Sequence, residues 1–103
     1  MPGHIAFRPA ALDDLLNLFD YIADEASPAV AGGYIDRIEQ ACRLLTTFPE
    51  RGSRRDDLSP GLRILGFERR ATIAFRVIGD EVQIVRIFYG GQDFDAVLRD
   101  DVS

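Results

Sequence analysis

The order of hydrophobic and polar residues divides the chain into two kinds of segment. Apolar side chains recur at every third or fourth position over residues 10–25 and again over 28–48, which is the spacing of one helix face. From residue 62 onward the pattern changes to short runs rich in β-branched and aromatic residues, separated by polar turns. The sequence therefore predicts two helices followed by an antiparallel sheet.

A short alternating segment, residues 4–8, precedes the helices and predicts an edge strand with Ile5 and Phe7 facing inward. Pro9 suits the start of the first helix, because its missing N–H costs nothing there. The core-facing stripe expected for this helix comprises Leu12, Leu15, Leu16, Phe19, Ile22 and Ala23.

The second helix, predicted over 28–48, is expected to begin with Ser27 as its N-terminal cap and to end at Pro49. Gly32 and Gly33 are unusual there, because each glycine costs a helix about 0.5–1 kcal/mol relative to alanine. Either the first turn frays or a neighbour lies close to it. The expected apolar face comprises Ala31, Tyr34, Ile35, Ile38, Ala41, Cys42, Leu45 and Phe48.

Three strands are predicted over 62–67, 69–78 and 81–89. The last one changes phase, because Val82 and Ile84 alternate in one sense and the apolar residues from Val85 onward in the other. This pattern indicates either a β-bulge or a strand buried on both faces. The C-terminal segment, 92–103, is expected to form one or two helical turns and an acidic tail.

Together these elements predict one α+β domain over residues 1–103. Two helices with one apolar face each must bury those faces, and the sheet offers the available surface. The expected fold is therefore a two-layer arrangement, in which an antiparallel helical hairpin packs on a four-stranded, largely antiparallel sheet. The N-terminal strand is expected to extend an open edge of that sheet.

The composition limits where the protein works and what it binds. No apolar run approaches the roughly 18–20 residues that span a bilayer, and no signal peptide is recognisable, so a cytoplasmic location is expected. The single cysteine, Cys42, excludes an intrachain disulfide and is interpreted as a buried residue on the second helix. With only one histidine, His4, no Cys/His metal site and no cofactor are predicted.

The charges are unevenly distributed. The chain carries 12 basic residues, all arginine, and 17 acidic residues, giving a net charge of −5. Residues 51–76 hold seven arginines against three acids, whereas the flanking segments are acidic. General nucleic-acid binding requires neutralising many phosphates, so this balance does not fit that class. The basic stripe fits an acidic partner or a few phosphates.

No catalytic signature is present. The sequence contains neither a Gly-x-Ser-x-Gly motif nor a glycine-rich phosphate-binding loop. Strand arginines and one tyrosine remain as candidate functional groups: Arg63, Arg70, Arg76, Arg86 and Tyr89. They either stabilise charge and relay a proton in RNA cleavage, or face solvent and form salt bridges as ordinary strand arginines do.

The order strand–helix–helix–three strands resembles the RelE/ParE superfamily of bacterial toxins, and within it the ParE type. The matching segments span nearly the whole chain and are Asp14-Leu15, Tyr21-Ile22-Ala23, 48–54, 57–63, 73–77 and 85–93. The resemblance implies a toxin that poisons DNA gyrase by binding, needs no chemistry of its own and is neutralised by a ParD-type antitoxin.

Two binding surfaces follow as hypotheses. Apolar residues that lie off the predicted core stripes of the helices are expected to contact the antitoxin: Leu18, Tyr21, Val30 and Leu44. The outer face of the sheet, with the C-terminal segment, is expected to contact gyrase through Arg63, Arg70, Arg76, Arg86 and Tyr89.

Two alternatives remain. The RelE branch, whose members cleave mRNA on ribosomes, resembles this chain in fold, but it carries Arg and Tyr where Gln92 and Leu98 stand here. ParE relatives often carry His at the position of Tyr89, a difference that a binding function tolerates. The second alternative is a toxin fold that has lost its activity and serves only as a binding module.

Overall fold

The computed structural model of the protein describes residues 2–102, with side chains as far as Arg99. It confirms an α+β fold in which a helical hairpin covers one face of a sheet. Within the described range, no helix combines the length and the hydropathy needed to cross a bilayer. The elements in chain order are β1 (His4–Phe7), α1 (Pro9–Glu25), α2 (Pro28–Leu44), β2 (Ser53–Arg54), β3 (Arg63–Phe67), β4 (Ala71–Ile78), β5 (Glu81–Tyr89) and α3 (Phe94–Val102).

The sheet has five strands in the order β1-β5-β4-β3-β2, one more than the predicted four. The additional strand, β2, pairs Ser53 with Ile64 and Arg54 with Arg63. A strand of two residues has no periodicity, so the sequence pattern did not reveal it. The first strand does extend an edge of the meander, and it runs parallel to β5. The remaining strand pairs are antiparallel.

Helix α2 begins as predicted and ends four residues early. The Val30 N–H donates to the Ser27 hydroxyl oxygen at 3.1 Å, which confirms Ser27 as the cap. After Leu44 the chain tightens, because the Thr46 N–H and hydroxyl both donate to the Arg43 carbonyl oxygen. Phe48 consequently lies outside the helix with 55% of its surface exposed, and its predicted place on the apolar face is wrong.

The buried stripe of α1 differs from the predicted one. Leu12 and Leu16 are exposed, whereas Leu18, expected off the core stripe, is 5% exposed and belongs to the core. Apolar residues occupy two adjacent stripes of this helix, and Asp14, which precedes the buried Leu15, is held at the edge of β5. The stripe that faces the sheet comprises Ala11, Leu15, Leu18 and Ile22.

The phase change in β5 is a β-bulge. Ala74 lies opposite Arg86 and the next residue, Phe75, lies opposite Ile84, so Val85 is the extra residue. Before the bulge Ile84 faces the helical hairpin, and after it Ile87 does. The bulge thus keeps apolar residues on the helix side while turning Val85 to the outer face of the sheet.

The outer face of the sheet carries a second, smaller apolar cluster. Helix α3 and the loop over 55–62 cover it with Leu58, Leu62 and Leu98. Arg55 holds these two segments together, because its Nη2 lies 2.9 Å from Asp57 Oδ2 and 3.0 Å from Asp95 Oδ2. This part of the outer face, expected to be open to a target, is therefore occupied by the protein itself.

Candidate protein-binding surfaces

An open depression of about 510 Å³ lies between α1 and the end of β5. It brings together Arg70 and Tyr89, two of the residues predicted to contact a target, with Tyr21, predicted to contact an antitoxin. Asn17 and Gln92 supply amide groups to its rim. The depression therefore offers aromatic faces, amides and one guanidinium, which suits a polar and aromatic protein segment.

Four aromatic rings form the wall behind this depression. The Tyr89 ring centroid lies 5.8 Å from that of Tyr21 and 5.8 Å from that of Tyr34. Tyr34 in turn meets Phe67 edge-on at 5.6 Å. Burial, reinforced by Tyr89, raises the pKa of Tyr34. Within the described part of the chain its buried hydroxyl has no hydrogen-bond partner, so this ring serves packing.

Side chains close the part of the β5 edge that β1 leaves uncovered. Strand β1 pairs with residues 81–84 only. Beyond them the Ile87 N–H donates to Asp14 Oδ2 at 2.8 Å, and the Tyr89 N–H donates to Gln92 Oε1 at 3.0 Å. Arg86 donates to both oxygens of Asp14, at 2.8 and 2.9 Å. Gln92 and Asp14 thus have structural roles that the sequence did not indicate, because their partners are backbone groups on a strand edge that exists only in the folded sheet.

The expectation that the candidate arginines share one outer face is wrong. Arg63 lies opposite Phe75 on the helix side, where its Nη1 donates to the Glu50 carbonyl oxygen at 3.0 Å. Arg86 is engaged with Asp14, and Arg70 lines the depression beside α1. Arg76 is on the outer face, in register with Gln83. The alternation of β3 and β4 and the turn between them separate these side chains.

The apolar residues exposed on the hairpin form two groups. Tyr21 and Val30, exposed as predicted, lie at the end where α1 meets α2. Leu44, also exposed as predicted, lies at the opposite end, where the antiparallel hairpin brings the start of α1 beside the end of α2. Leu18 is in the core and is not available there. The group at this second end, here called the hairpin patch, comprises Leu12, Leu16, Leu44 and Phe48, exposed by 49, 66, 49 and 55%.

Neither a metal centre nor a reactive thiol is built into the described part of the molecule. No three His, Cys, Asp or Glu side chains converge among the described residues. Cys42 is buried, and burial raises the pKa of its thiol to about 12, so the thiol stays protonated at neutral pH.

Comparison with known proteins identifies the family. Residues 5–94 match the family model described as "ParE toxin of type II toxin-antitoxin system, parDE". The chain belongs to the ParE toxin family. This ParE-family chain is 33% identical over 94 residues to Toxin ParE3 of Caulobacter vibrioides, a match that covers 91% of this chain and 92% of that protein. It also resembles a solved structure described as "Chromosomal ParDE TA system from P. aeruginosa", with a TM-score of 0.74 and 28% identity.

That structural match covers 84% of this chain and 95% of the other. Residues 5–94 include the hairpin, the bulged strand β5 and the depression between α1 and β5. Both candidate surfaces of this ParE-family protein therefore lie within the residues that the family model matches.

Proposed function

We propose that this protein is the toxin of a type II toxin–antitoxin pair, that it inhibits DNA gyrase by binding, and that a ParD-type antitoxin neutralises it. The family match over residues 5–94 carries the proposal. We also propose that the protein is located in the cytoplasm, where gyrase acts.

The placement of the candidate residues supports binding over RNA cleavage. Arg63, Arg76 and Arg86 donate hydrogen bonds within the protein, and Arg70 lies beside Tyr89 in the depression. Gln92, at the position where RelE-type enzymes carry Arg, uses its amide oxygen to hold the Tyr89 N–H. A net charge of −5 also opposes docking on ribosomal RNA.

Two assays on the purified protein test the target. In the first, gyrase supercoils relaxed plasmid, and we expect the protein to block supercoiling and to trap cleaved DNA–gyrase complexes. In the second, translating ribosomes carry a labelled mRNA, and we expect no cleavage. Cleavage of the mRNA with gyrase unaffected would establish the RelE-type activity instead.

The hairpin patch is the proposed antitoxin contact. Four large apolar side chains are exposed near one end of the helix pair, and exposed apolar residues on helices are typical contacts for an amphipathic helix. The structural relative described as a ParDE system supports an antitoxin partner for this fold. Tyr21 and Val30 extend the proposed contact to the other end of the hairpin.

Leu16→Glu tests this contact with little effect on folding, because Leu16 is the most exposed residue of the patch, at 66%. We expect the affinity for the cognate antitoxin to fall by roughly tenfold or more, since a charge would replace an apolar contact. Isothermal titration calorimetry measures the loss. The matched control is Ile78→Glu, an exposed residue of β4 at 53%, which should leave antitoxin affinity unchanged. Equal losses in both variants would argue against the patch.

A further inference from the structure

The turn between β3 and β4 has a backbone conformation that its sequence does not favour. The Arg70 N–H donates to the Phe67 carbonyl oxygen at 3.1 Å and closes the turn. The two residues between them, Glu68 and Arg69, have φ angles of +48° and +63°. A positive φ is costly for a residue with a Cβ atom, and glycine or asparagine usually occupies such positions. Contacts from outside the turn are therefore needed to hold it.

An arginine of the second helix supplies one such contact. Arg37 Nε donates to Glu68 Oε2 at 2.8 Å, and Arg37 Nη2 donates to Glu68 Oε1 at 3.2 Å. The two planar groups thus form a paired, charge-assisted contact that fixes the direction of the Glu68 side chain. Among the described residues, no other side chain hydrogen bonds to Glu68 or Arg69. Helix α2 therefore holds this turn through a single arginine.

The same turn leads directly into the depression between α1 and β5. Arg70 lines the depression, and its carbonyl oxygen accepts from the Gly90 N–H at 2.8 Å. Arg37 also lies over the Tyr34 ring, with 5.4 Å between the guanidinium carbon and the ring centroid. Tyr34 in turn meets Tyr89 edge-on. Arg37 therefore contacts both the turn that carries Arg70 and the aromatic wall behind the depression.

The exposure of the Arg37–Glu68 pair argues against a large role in overall stability. The two side chains are 55 and 42% exposed, and exposed ion pairs contribute little to the free energy of unfolding. The described residues that line the depression include neither of them. The effect of the pair is expected in the turn itself, because local opening requires much less free energy than global unfolding.

We propose, on the basis of the function proposed above, that Arg37 and Glu68 are positioning residues for the contact with the protein target. They hold the turn in one conformation, so that Arg70 presents its guanidinium beside Tyr89 in the depression. A guanidinium on a mobile turn must be ordered when a partner binds, and this ordering weakens binding. A turn that is already held removes the backbone part of that cost.

Arg70 is available to a partner in the described structure. Its side chain is exposed, and no carboxylate of the described chain lies within ion-pair distance of it. Asp14 also lines the depression, but its two oxygens accept from Arg86 and from the Ile87 N–H. The guanidinium of Arg70 can therefore donate to carbonyl or carboxylate oxygens of the target.

The hold on the turn can be tested without gyrase. Hydrogen exchange of the Arg70 amide, which closes the turn, is followed by NMR in the unaltered protein and in Arg37→Gln. We expect exchange to be at least fivefold faster in the variant, with the urea midpoint nearly unchanged. The matched control is Arg43→Gln, because Arg43 is an exposed arginine whose partner, Glu39, lies 3.7 Å away on the same helix. Unchanged exchange in Arg37→Gln would overturn the inference.

Gyrase binding then tests what the pair positions. We expect Arg70→Gln to weaken binding at least tenfold and Arg37→Gln at least fivefold, with Arg43→Gln unchanged. Where Arg70 is already replaced, adding Arg37→Gln should cause no further loss, because Arg37 acts through Arg70. Unchanged gyrase affinity in Arg37→Gln, or full additivity of the two losses, would overturn the inference while leaving the proposed function intact.

A rescue separates positioning from direct contact with gyrase. In the Arg37→Gln background, adding Glu68→Asn should restore most of the lost affinity, because asparagine adopts a positive φ more readily than most residues. Adding Glu68→Gln removes the same charge without that preference and should restore little. Equal affinities of the two double variants would overturn the inference. If the unaltered protein does not bind gyrase, the proposed function is wrong, and exchange of the Arg70 amide still decides whether the pair holds the turn.

Discussion

At the scale of single residues, Tyr34 combines good packing with an unsatisfied polar atom. Its ring meets Phe67 and Tyr89 edge-on, while its buried hydroxyl has no partner among the described residues. Tyr34→Phe keeps the ring and removes the orphaned group, so we expect the free energy of unfolding to stay equal or rise by about 1 kcal/mol. Urea denaturation measures the change. A loss of more than that amount would show that the hydroxyl has an acceptor.

The glycine pair of α2 gives a second prediction at this scale. A Cβ at Gly32 would meet nothing within 4 Å, so close packing in the isolated protein does not require this glycine. Gly32→Ala should therefore stabilise the protein by about 0.5–1 kcal/mol, seen as a rise in Tm. The contrasting control is Gly52→Ala, because Gly52 has φ +77° and its Cβ would overlap the Ile64 carbonyl oxygen. Destabilisation by both substitutions would contradict this account.

Leu16 and Leu18 show what periodicity leaves undecided in a single helix. Apolar residues of α1 occupy two neighbouring stripes, and either stripe satisfies helical spacing. The choice is made by tertiary contacts, such as that of the Asp14 carboxylate with the edge of a strand more than 70 residues away. No local pattern carries that information, so the sequence predicted the helix correctly and its rotation incorrectly.

At the scale of elements, Asp14 joins α1 to the uncovered edge of β5. The carboxylate accepts from the Ile87 N–H and pairs with the half-buried Arg86. Asp14→Ala removes the acceptor and leaves the arginine without this counter-ion, so we expect a loss of about 3–5 kcal/mol in the free energy of unfolding. Urea denaturation also tests the control, Asp13→Ala, an exposed neighbour whose loss should stay within about 0.5 kcal/mol. Similar losses in the two variants would refute the special role of Asp14.

Element types were predictable where a pattern extended over several residues. The hairpin, the meander and the anomaly in β5 all followed from periodicity, because each buries a continuous apolar face. Strand β2 was missed because Ser53–Arg54 carries no alternation. The end of α2 was missed because Thr46 bonds back to Arg43, while the apolar spacing continues to Phe48.

At the scale of the whole molecule, exposed ion pairs contribute to the response to acid. Hydrogen bonds from Arg55 lower the pKa of Asp57, and those from Arg37 lower the pKa of Glu68. A lowered pKa in the folded state stabilises the protein above the unfolded-state values of about 3.9 for Asp and 4.3 for Glu. That stability is lost as the pH falls through the lower folded-state values.

We therefore expect the urea midpoint to stay constant from pH 7 to pH 5 and to decline below about pH 4. Glu68→Gln removes one of these carboxylates and should make the decline smaller. Circular dichroism in urea at a series of pH values measures both. A decline already complete at pH 5 would contradict this assignment, since carboxylates with lowered pKa values remain ionised there.

The candidate sites were less predictable than the fold. Composition located the arginine-rich stripe, but the faces on which Arg63, Arg70 and Arg76 lie depend on strand register and on the turn between β3 and β4. The covering of part of the outer face by α3 was equally hidden, because Leu98 joins the apolar cluster with Val85 and Phe88 only after the sheet has formed. Charge along a sequence indicates that a surface exists, whereas its location is set by tertiary structure.

The pairing of the first strand with the last has a consequence for synthesis of the protein. Strand β1 and Asp14 are synthesised early, whereas their partners lie in β5. Arg86, the partner of Asp14, follows it by 72 residues. At about 5–20 residues per second, a ribosome needs about 4–14 s to cover that distance. During this interval the nascent chain has no complete sheet and therefore no toxin fold. The antitoxin proposed above, if already in the cell, would thus encounter the folded protein only as translation ends.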